Sequence, residues 1–281
     1  LRLSQPSLSR WLALLERELG AQLLVRTRQG IRLTDAGQIL ADHARPLLRQ
    51  FDVLKEEIGN KSQRQINLAF PFSMQRLLTA PFAEMVIRDR PDISLRVFEG
   101  INNTIRVWME NGLLDTALIV EMERVPEHFS NRPILQESLL LVGNSDAGLK
   151  IDTPVQLSEL DNLPIILPGP PNSISGHVGN ALKRQGYRYN NRFEAESLSL
   201  CIELAGRGLG YTVMPYCALR YRLEEDPALS AAPIKGLHVV WKLCVNSSRA
   251  YSNANRSLID ELTDFIKTQV KSGEWKFASV L

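Results

Sequence analysis

Gln5, Ser7, Ser9 and Arg10 place an amide, two hydroxyls and a guanidinium within six consecutive positions. These side chains hydrogen-bond base edges and phosphate oxygens in a major groove. Interleaved with them, Leu8, Leu12, Leu15 and Leu19 recur at spacings of four, three and four, which is one apolar stripe of a helix. The polar set therefore occupies the opposite side of that helix's first turns. Its ends are legible as well. Ser4 is a good N-cap type, Pro6 falls in the first turn where a missing N–H is tolerated, and Gly20 supplies a left-handed stop. Taken alone, the pattern fits an ordinary amphipathic helix with a solvated polar face as well as a base-reading helix.

The next residues separate those readings. Leu23 to Leu33 reads as two short strands around a turn at Arg28-Gln29-Gly30, with arginines at 26, 28 and 32. A helix followed by a basic hairpin is the layout of a winged helix-turn-helix, whose wing grips phosphate while the helix enters the groove. The runs S-Q-P-S-L-S-R, L-E-R-E-L-G and L-L-V-R-T-R-Q-G-I-R-L-T-D-A-G together resemble the DNA-binding region of the LysR-type transcriptional regulators, across more than thirty positions. The sequence departs from the family at Trp11 and Ala13, where polar or basic residues are usual, and at Leu24, where Phe is common. Those departures bear on phosphate contacts along that flank, not on the fold. The resemblance implies that Gln5, Pro6, Ser7, Ser9 and Arg10 belong to the recognition helix, and Arg26, Arg28 and Arg32 to the wing. It also implies about twenty preceding residues, forming helices that pack under the recognition helix. On that expectation Leu1-Arg2-Leu3 is the tail of an earlier helix, and the leucine stripe lacks part of its partner surface.

Composition narrows the class of protein. With 281 residues the chain is long enough for two or three domains, and 44% apolar and 23% charged residues suit a globular protein. No apolar run approaches the length of a bilayer span, and no charged-then-apolar leader opens the chain, so neither a membrane partner nor export is expected. Cys201, Cys217 and Cys244 form no C-x-x-C pair and are odd in number, which suggests reduced, mostly buried thiols in a cytoplasmic protein. The four histidines are scattered, and neither a metal nor a cofactor is called for. Charge is uneven. Residues 1–34 hold six arginines against Glu16 and Glu18, a net of +4, so a chain total of +2 leaves −2 for the remainder. A basic head on a faintly acidic body suggests that only the head meets a polyanion.

Thr34 can cap a helix over residues 35–58, in which Ala36, Leu40, Ala44, Leu47, Phe51, Leu54 and Ile58 approach a heptad seam. Pro46 should kink it. Such a helix either packs on its own domain or pairs with its twin, and the family resemblance favours a dimer helix. Residues 59–64 carry no apolar side chain and read as a hinge. Beyond them strands and helices alternate: strands at 66–70, 93–98, 116–120, 139–142, 165–167, 192–195, 211–214 and 239–245, helices at 74–89, 104–111, 176–185, 197–205 and 254–271. That order predicts an α/β fold with mostly parallel sheets covered on both faces. It resembles the family's two-lobed effector domain, which is similar to type II periplasmic solute-binding proteins. The expected organisation is a winged helix-turn-helix at 1–34, a linker helix at 35–58, a hinge at 59–64 and an effector domain at 65–281. Within that domain, lobe 1 is 65–136 with 248–281, and lobe 2 is 137–247.

In open α/β sheets ligands gather at the carboxyl ends of strands, where helix N-termini present free amides. Ser73, Asn102, Asn103, Asn172, Ser173 and Ser197 all stand near such helix starts. Simple N-capping explains these residue types equally well, and the resemblance tips Ser73 and Asn102 toward effector contact. The expected pocket lies between the lobes and contains no evident cation, so a small polar or carboxylate-bearing metabolite would be held by first-turn amides. Gly206-Arg207-Gly208-Leu209-Gly210 follows a helix and precedes a strand, the wrong order for a dinucleotide fingerprint, and reads as a tight turn. No G-x-S-x-G, H-E-x-x-H or paired-carboxylate arrangement supports catalysis, and Ser175-Gly176-His177 reads as helix-start chemistry. Trp108 and Trp241 read as packing residues. The sequence thus implies a DNA-binding regulator controlled by a small effector. Through the resemblance its expected partners are an inverted-repeat operator in double-stranded DNA, a second copy in a homodimer, and further copies in a homotetramer. RNA polymerase is a further candidate partner. The rival reading is a stand-alone solute-binding module with a non-functional head.

Overall fold

The computed structural model describes residues 5–27, 30–41, 43–44, 48, 51, 64–120, 125–169, 173–247 and 253–281. By contacts the chain divides into two compact units, Leu1–Asn60 with Glu110–Leu113, and Lys61–Met109 with Leu114–Leu281.

In the first unit, helix α1 (Gln5–Leu19) ends where Gly20 adopts φ +65. Strands β1 (Leu24–Thr27) and β2 (Gly30–Leu33) pair antiparallel from Leu24↔Leu33 to Thr27↔Gly30, forming the expected hairpin. Glu16 ties the helix to it, its Oε1 accepting the Leu23 amide at 2.7 Å and the Leu24 amide at 3.3 Å. Thr34 donates its hydroxyl to the Gln22 carbonyl at 2.5 Å and accepts the Gly37 amide at 3.0 Å, capping a helix α2 that occupies residues 35–41. A Cβ at Gly37 would lie 2.0 Å from the Leu23 carbonyl oxygen, so only glycine fits this helix against the hairpin. Residues 43, 44, 48 and 51 are also helical; Pro46, Leu54, Ile58 and the hinge residues 59–63 lie outside the described residues. The leucine stripe is open, with Leu8, Leu15 and Leu19 exposed by 50, 39 and 48%.

The second unit is built on one seven-stranded sheet, β11-β6-β10-β5-β3-β4, with β9 on the remaining part of the β6 edge. Strands β3 (Arg64–Pro71), β4 (Ile93–Gly100) and β5 (Thr116–Val120) are parallel, as expected. The mostly parallel sheet does not extend further. Strands β6 (Phe129–Asn144) and β10 (Leu229–Asn246) run antiparallel to each other over 16 and 18 residues, and β10 is antiparallel to β5. The cause is topological: a chain that leaves one lobe along β6 and returns along β10 must reverse direction. Their pairing breaks between Pro233 and His238, where four residues bulge opposite one, with Gly236 at φ +74. On one side of this bulge β6 joins the first lobe. On the other it pairs with β9 (Thr212–Pro215) through Leu139 to Val142. A second small sheet pairs β7 (Pro164–Leu167) with β8 (Asn190–Glu194) in parallel.

The helices are α3 (Ala80–Asp89), α4 (Asn102–Glu110), α5 (Ser173–Arg184), α6 (Leu198–Gly206), α7 (Tyr216–Glu225) and α8 (Asn253–Lys271). Helix α7 was not legible in the sequence, nor was β11 (Ala278–Val280), which follows the last helix. The expected helix over 74–89 is interrupted. A 3-10 turn (Phe72–Met74) leads into a π-helical turn (Gln75–Thr79) before α3. Pro81 explains the break: it has no N–H to donate to the Leu77 carbonyl and its ring would crowd that oxygen in an α-helix. The core is apolar and closed, with Phe70, Met74, Phe82, Trp241 and Trp275 buried. No helix among the described residues is long and apolar enough to cross a membrane.

Candidate functional site

On the first unit, Gln5 and Pro6 open α1, Ser7 is half-buried, and Ser9 and Arg10 are exposed on the same helix. In the hairpin register Arg26 faces Ile31 and Arg32 faces Val25, with Arg32 exposed. Arg28 lies outside the described residues. A helix whose exposed first turns carry hydroxyls and a guanidinium, buttressed through Glu16 by a hairpin bearing arginines, can contact base edges and phosphate together.

On the second unit, a cavity of about 170 Å³ forms where the two lobes meet. Ser73, Gln75 and Arg76 enter it from the turns after β3, Ser199 and Ile202 from α6, and Cys217, Tyr221 and Arg222 from α7. Two of the elements that build it were not foreseen, the π-helical turn and α7, and they bring the cations absent from the expected pocket. Arg76 stacks on the Tyr221 ring at 4.4 Å and forms a bidentate pair with Glu225, at 2.5 and 2.8 Å. That guanidinium holds the Glu225 carboxyl below the usual range. A larger depression of about 640 Å³ runs between α3 and α8, lined by Met85, Arg256, Asp260, Glu261 and Phe265, but no residue of the other lobe reaches it.

Of the six candidate effector residues, Ser73 lines this cavity. Asn102 opens α4, with its amide committed to the end of β5: Nδ2 donates to the Val120 carbonyl at 3.0 Å and Oδ1 accepts the Val120 N–H at 3.1 Å. Because β3 lies between β4 and β5, this bridge spans the neighbourhood of Ser73 without lining the cavity. Asn103 is half-buried in α4. Ser197 caps α6, accepting the Leu200 amide at 3.4 Å, which is the plainer of its two readings. Ser173 opens α5, and Asn172 lies outside the described residues. Ser175 donates its hydroxyl to the Pro168 carbonyl, helix-start chemistry as expected.

Behind the cavity sits a residue that sequence reasoning missed. Glu137 is fully buried on β6 beside the bulge. It accepts the Cys217 amide at 2.8 Å, the Trp275 indole N–H at 2.8 Å and the Trp241 indole N–H at 2.7 Å. The amide belongs to the first turn of α7, whose positive end faces the carboxylate. Burial pushes the Glu137 carboxyl up, and these donors only partly oppose it. Trp241 is therefore more than a packing residue. Ser73 and Cys217 line the cavity from opposite lobes, and the Cys217 amide donates to Glu137, so the cavity wall and the buried carboxylate beside the β6/β10 bulge share one residue. A signal was present: strict alternation places Leu135, Glu137, Leu139 and Leu141 on one buried face, with a lone charge among leucines. Burial raises all three thiols, Cys201 to about 11, Cys244 to about 12, and Cys217 well above its ordinary value.

These two units match two known domains in the same order. Residues 1–38 match the bacterial regulatory helix-turn-helix of the lysR family, and residues 59–267 match the LysR substrate binding domain. The chain belongs to the LysR family of transcriptional regulators. It is a DNA-binding regulator with an effector-binding domain, not an enzyme, and the family binds DNA and small-molecule effectors and oligomerises. Over 276 residues it is 26% identical to the HTH-type transcriptional regulator BbuR of Bordetella bronchiseptica, covering 97% of this chain and 85% of that protein. It is 31% identical over 225 residues to the nitrogen assimilation regulatory protein nac of Escherichia coli, covering 78% and 72%. In fold it resembles a full-length OxyR variant from Pseudomonas aeruginosa, with TM-score 0.74 at 20% identity, covering 94% of this chain and 86% of that one.

Proposed function

We propose that this LysR-family chain is a cytoplasmic regulator that reads an inverted-repeat operator as a dimer, assembles further into a tetramer, and is switched by a small metabolite in the interlobe cavity. The observation that carries this reading is the cavity's two-sided wall, with Ser73, Gln75 and Arg76 on one lobe and Ser199, Tyr221 and Arg222 on the other. A ligand touching both walls binds one lobe orientation better, and only that difference in affinity can move the equilibrium. At about 170 Å³ the cavity is well below the roughly 300–1,000 Å³ of drug-sized sites, so the effector is a small molecule.

In this reading residues 1–34 form the winged helix-turn-helix, 35–58 the dimer helix, 59–64 the hinge, and 65–281 the effector domain. Two recognition helices enter successive major grooves, where Gln5, Pro6, Ser7, Ser9 and Arg10 meet bases while Arg26, Arg28 and Arg32 hold phosphate. RNA polymerase is met at the promoter. Asn102 acts one step removed, fixing the loop after β4, and Asn103 in α4, Ser173 at the start of α5 and Ser197 at the cap of α6 are further candidate effector contacts, as is Asn172 outside the described residues. A promoter fusion combined with footprinting tests the scheme. Ser73→Phe should abolish the response to inducing conditions and leave the operator footprint unchanged. A normal response in that variant places the effector elsewhere.

A further inference from the structure

Arg76 and Glu225 stand 149 residues apart in sequence, on opposite lobes, and meet through two hydrogen bonds at the cavity wall. The partners are about half exposed, at 50 and 54%. An exposed pair of this kind is worth only about a factor of 1.5 to 5 in equilibrium. It is strong enough to bias the lobes and weak enough for a ligand to open. The pair also reports what the cavity recognises. A guanidinium fork receives a planar carboxylate here, and any other carboxylate of suitable size meets the same donors. A second guanidinium, Arg222, lines the same space, and its Nε is buried and meets no acceptor among the described residues. Its nearest acid, Glu203, stands 3.7 Å from Nη2.

We propose that Glu225 is a built-in stand-in for the effector: the effector is a small carboxylate that replaces Glu225 on Arg76 and, in doing so, unlatches one lobe from the other. The ligand's carboxylate accepts from Arg76 Nη1 and Nη2, Tyr221 keeps the guanidinium in place from its ring face, and Arg222 supplies the second cation. Glu225 returns to solvent, so the exchange leaves the charge at Arg76 balanced. This rests on the cavity being the effector site.

The test is calorimetric titration of the full chain with acetate, propionate, succinate and glutarate, each beside its neutral amide. Wild type, Glu225→Gln, Arg76→Gln and Ser73→Phe are compared, with circular dichroism confirming that each is folded. At least one acid should bind wild type while its amide does not. Glu225→Gln should bind that acid about two- to fivefold more tightly, because the internal competitor is gone. Arg76→Gln should lose the preference for acid over amide. An acid that binds wild type and Glu225→Gln equally, or no better than its amide, overturns the stand-in while loss of binding in folded Ser73→Phe keeps the cavity. No acid binding to Glu225→Gln at all overturns the carboxylate assignment. Undiminished binding to Ser73→Phe overturns the cavity itself.

Discussion

Glu137 shows how a single buried group sets a sign that can be measured. Its folded-state carboxyl lies above the ordinary value of 4.5, because burial outweighs the three donated hydrogen bonds. The folded chain therefore holds this proton more tightly than the unfolded chain does. The stability this confers is fully present below the ordinary value and is lost as pH rises through the raised one. Glu137→Gln removes that dependence, so urea midpoints of variant and wild type should shift in the variant's favour as pH rises from 4.5 toward neutrality. A gap that stays constant with pH would mean that Glu137 titrates normally. At the other end of the chain, the exposed Arg10 on α1 carries a different test. Arg10→Ala should weaken operator binding by about 1–3 kcal/mol, the worth of one good base contact, with far less effect on random DNA. Equal losses on both DNAs, by fluorescence anisotropy, would reduce Arg10 to a phosphate contact.

At the scale of elements, the hinge between β6 and β10 has the most to lose from a change that touches no side chain. Gly236 holds φ +74, and a Cβ there would meet nothing within 4 Å. Gly236→Ala should therefore cost about 1–2 kcal/mol through backbone strain alone, read from urea denaturation. A neutral effect would show that the bulge relaxes without the left-handed residue. The same hinge explains what could and could not be read from sequence. Strand β5 appears at its expected limits because every residue in it is apolar or β-branched and buried. Only Leu139–Val142 of β6 was legible, since S-N-R-P before it and Q-E-S within it look like loop, yet pairing with β10 holds them extended. In β10, Pro233 borders the bulge and Gly236 sits within it, residue types that strands disfavour. Helix α7 has no clean apolar stripe: Tyr216, Cys217 and Leu219 are buried, while Arg220, Arg222 and Glu225 pair with other elements. Periodicity could not reveal it, and with it went Arg222 and the acid partner of Arg76. Ser73, by contrast, was legible from its place after β3. The T-D-A-G run was legible as well, and Gly37 supplies its reason, a helix pressed onto the Leu23 carbonyl.

For the whole molecule, the proposed switch is the cavity between lobes and the proposed reader is the basic head, with Ser73 and Cys217 on the cavity wall and Glu137 behind Cys217. Because Ser73 and Cys217 line the same cavity from opposite lobes, these two positions offer a reversible lock between them. Ser73→Cys, oxidised with copper phenanthroline and checked by peptide mapping under non-reducing conditions, joins the lobes covalently. The decisive measurement is the operator footprint of this locked protein with and without an extract of small molecules from induced cells, before and after dithiothreitol. The locked chain should still bind its operator in one fixed pattern, ignore the extract, and regain the wild-type change of footprint on reduction. A locked chain whose footprint still changes with the extract would show that the signal does not pass through the movement of the lobes.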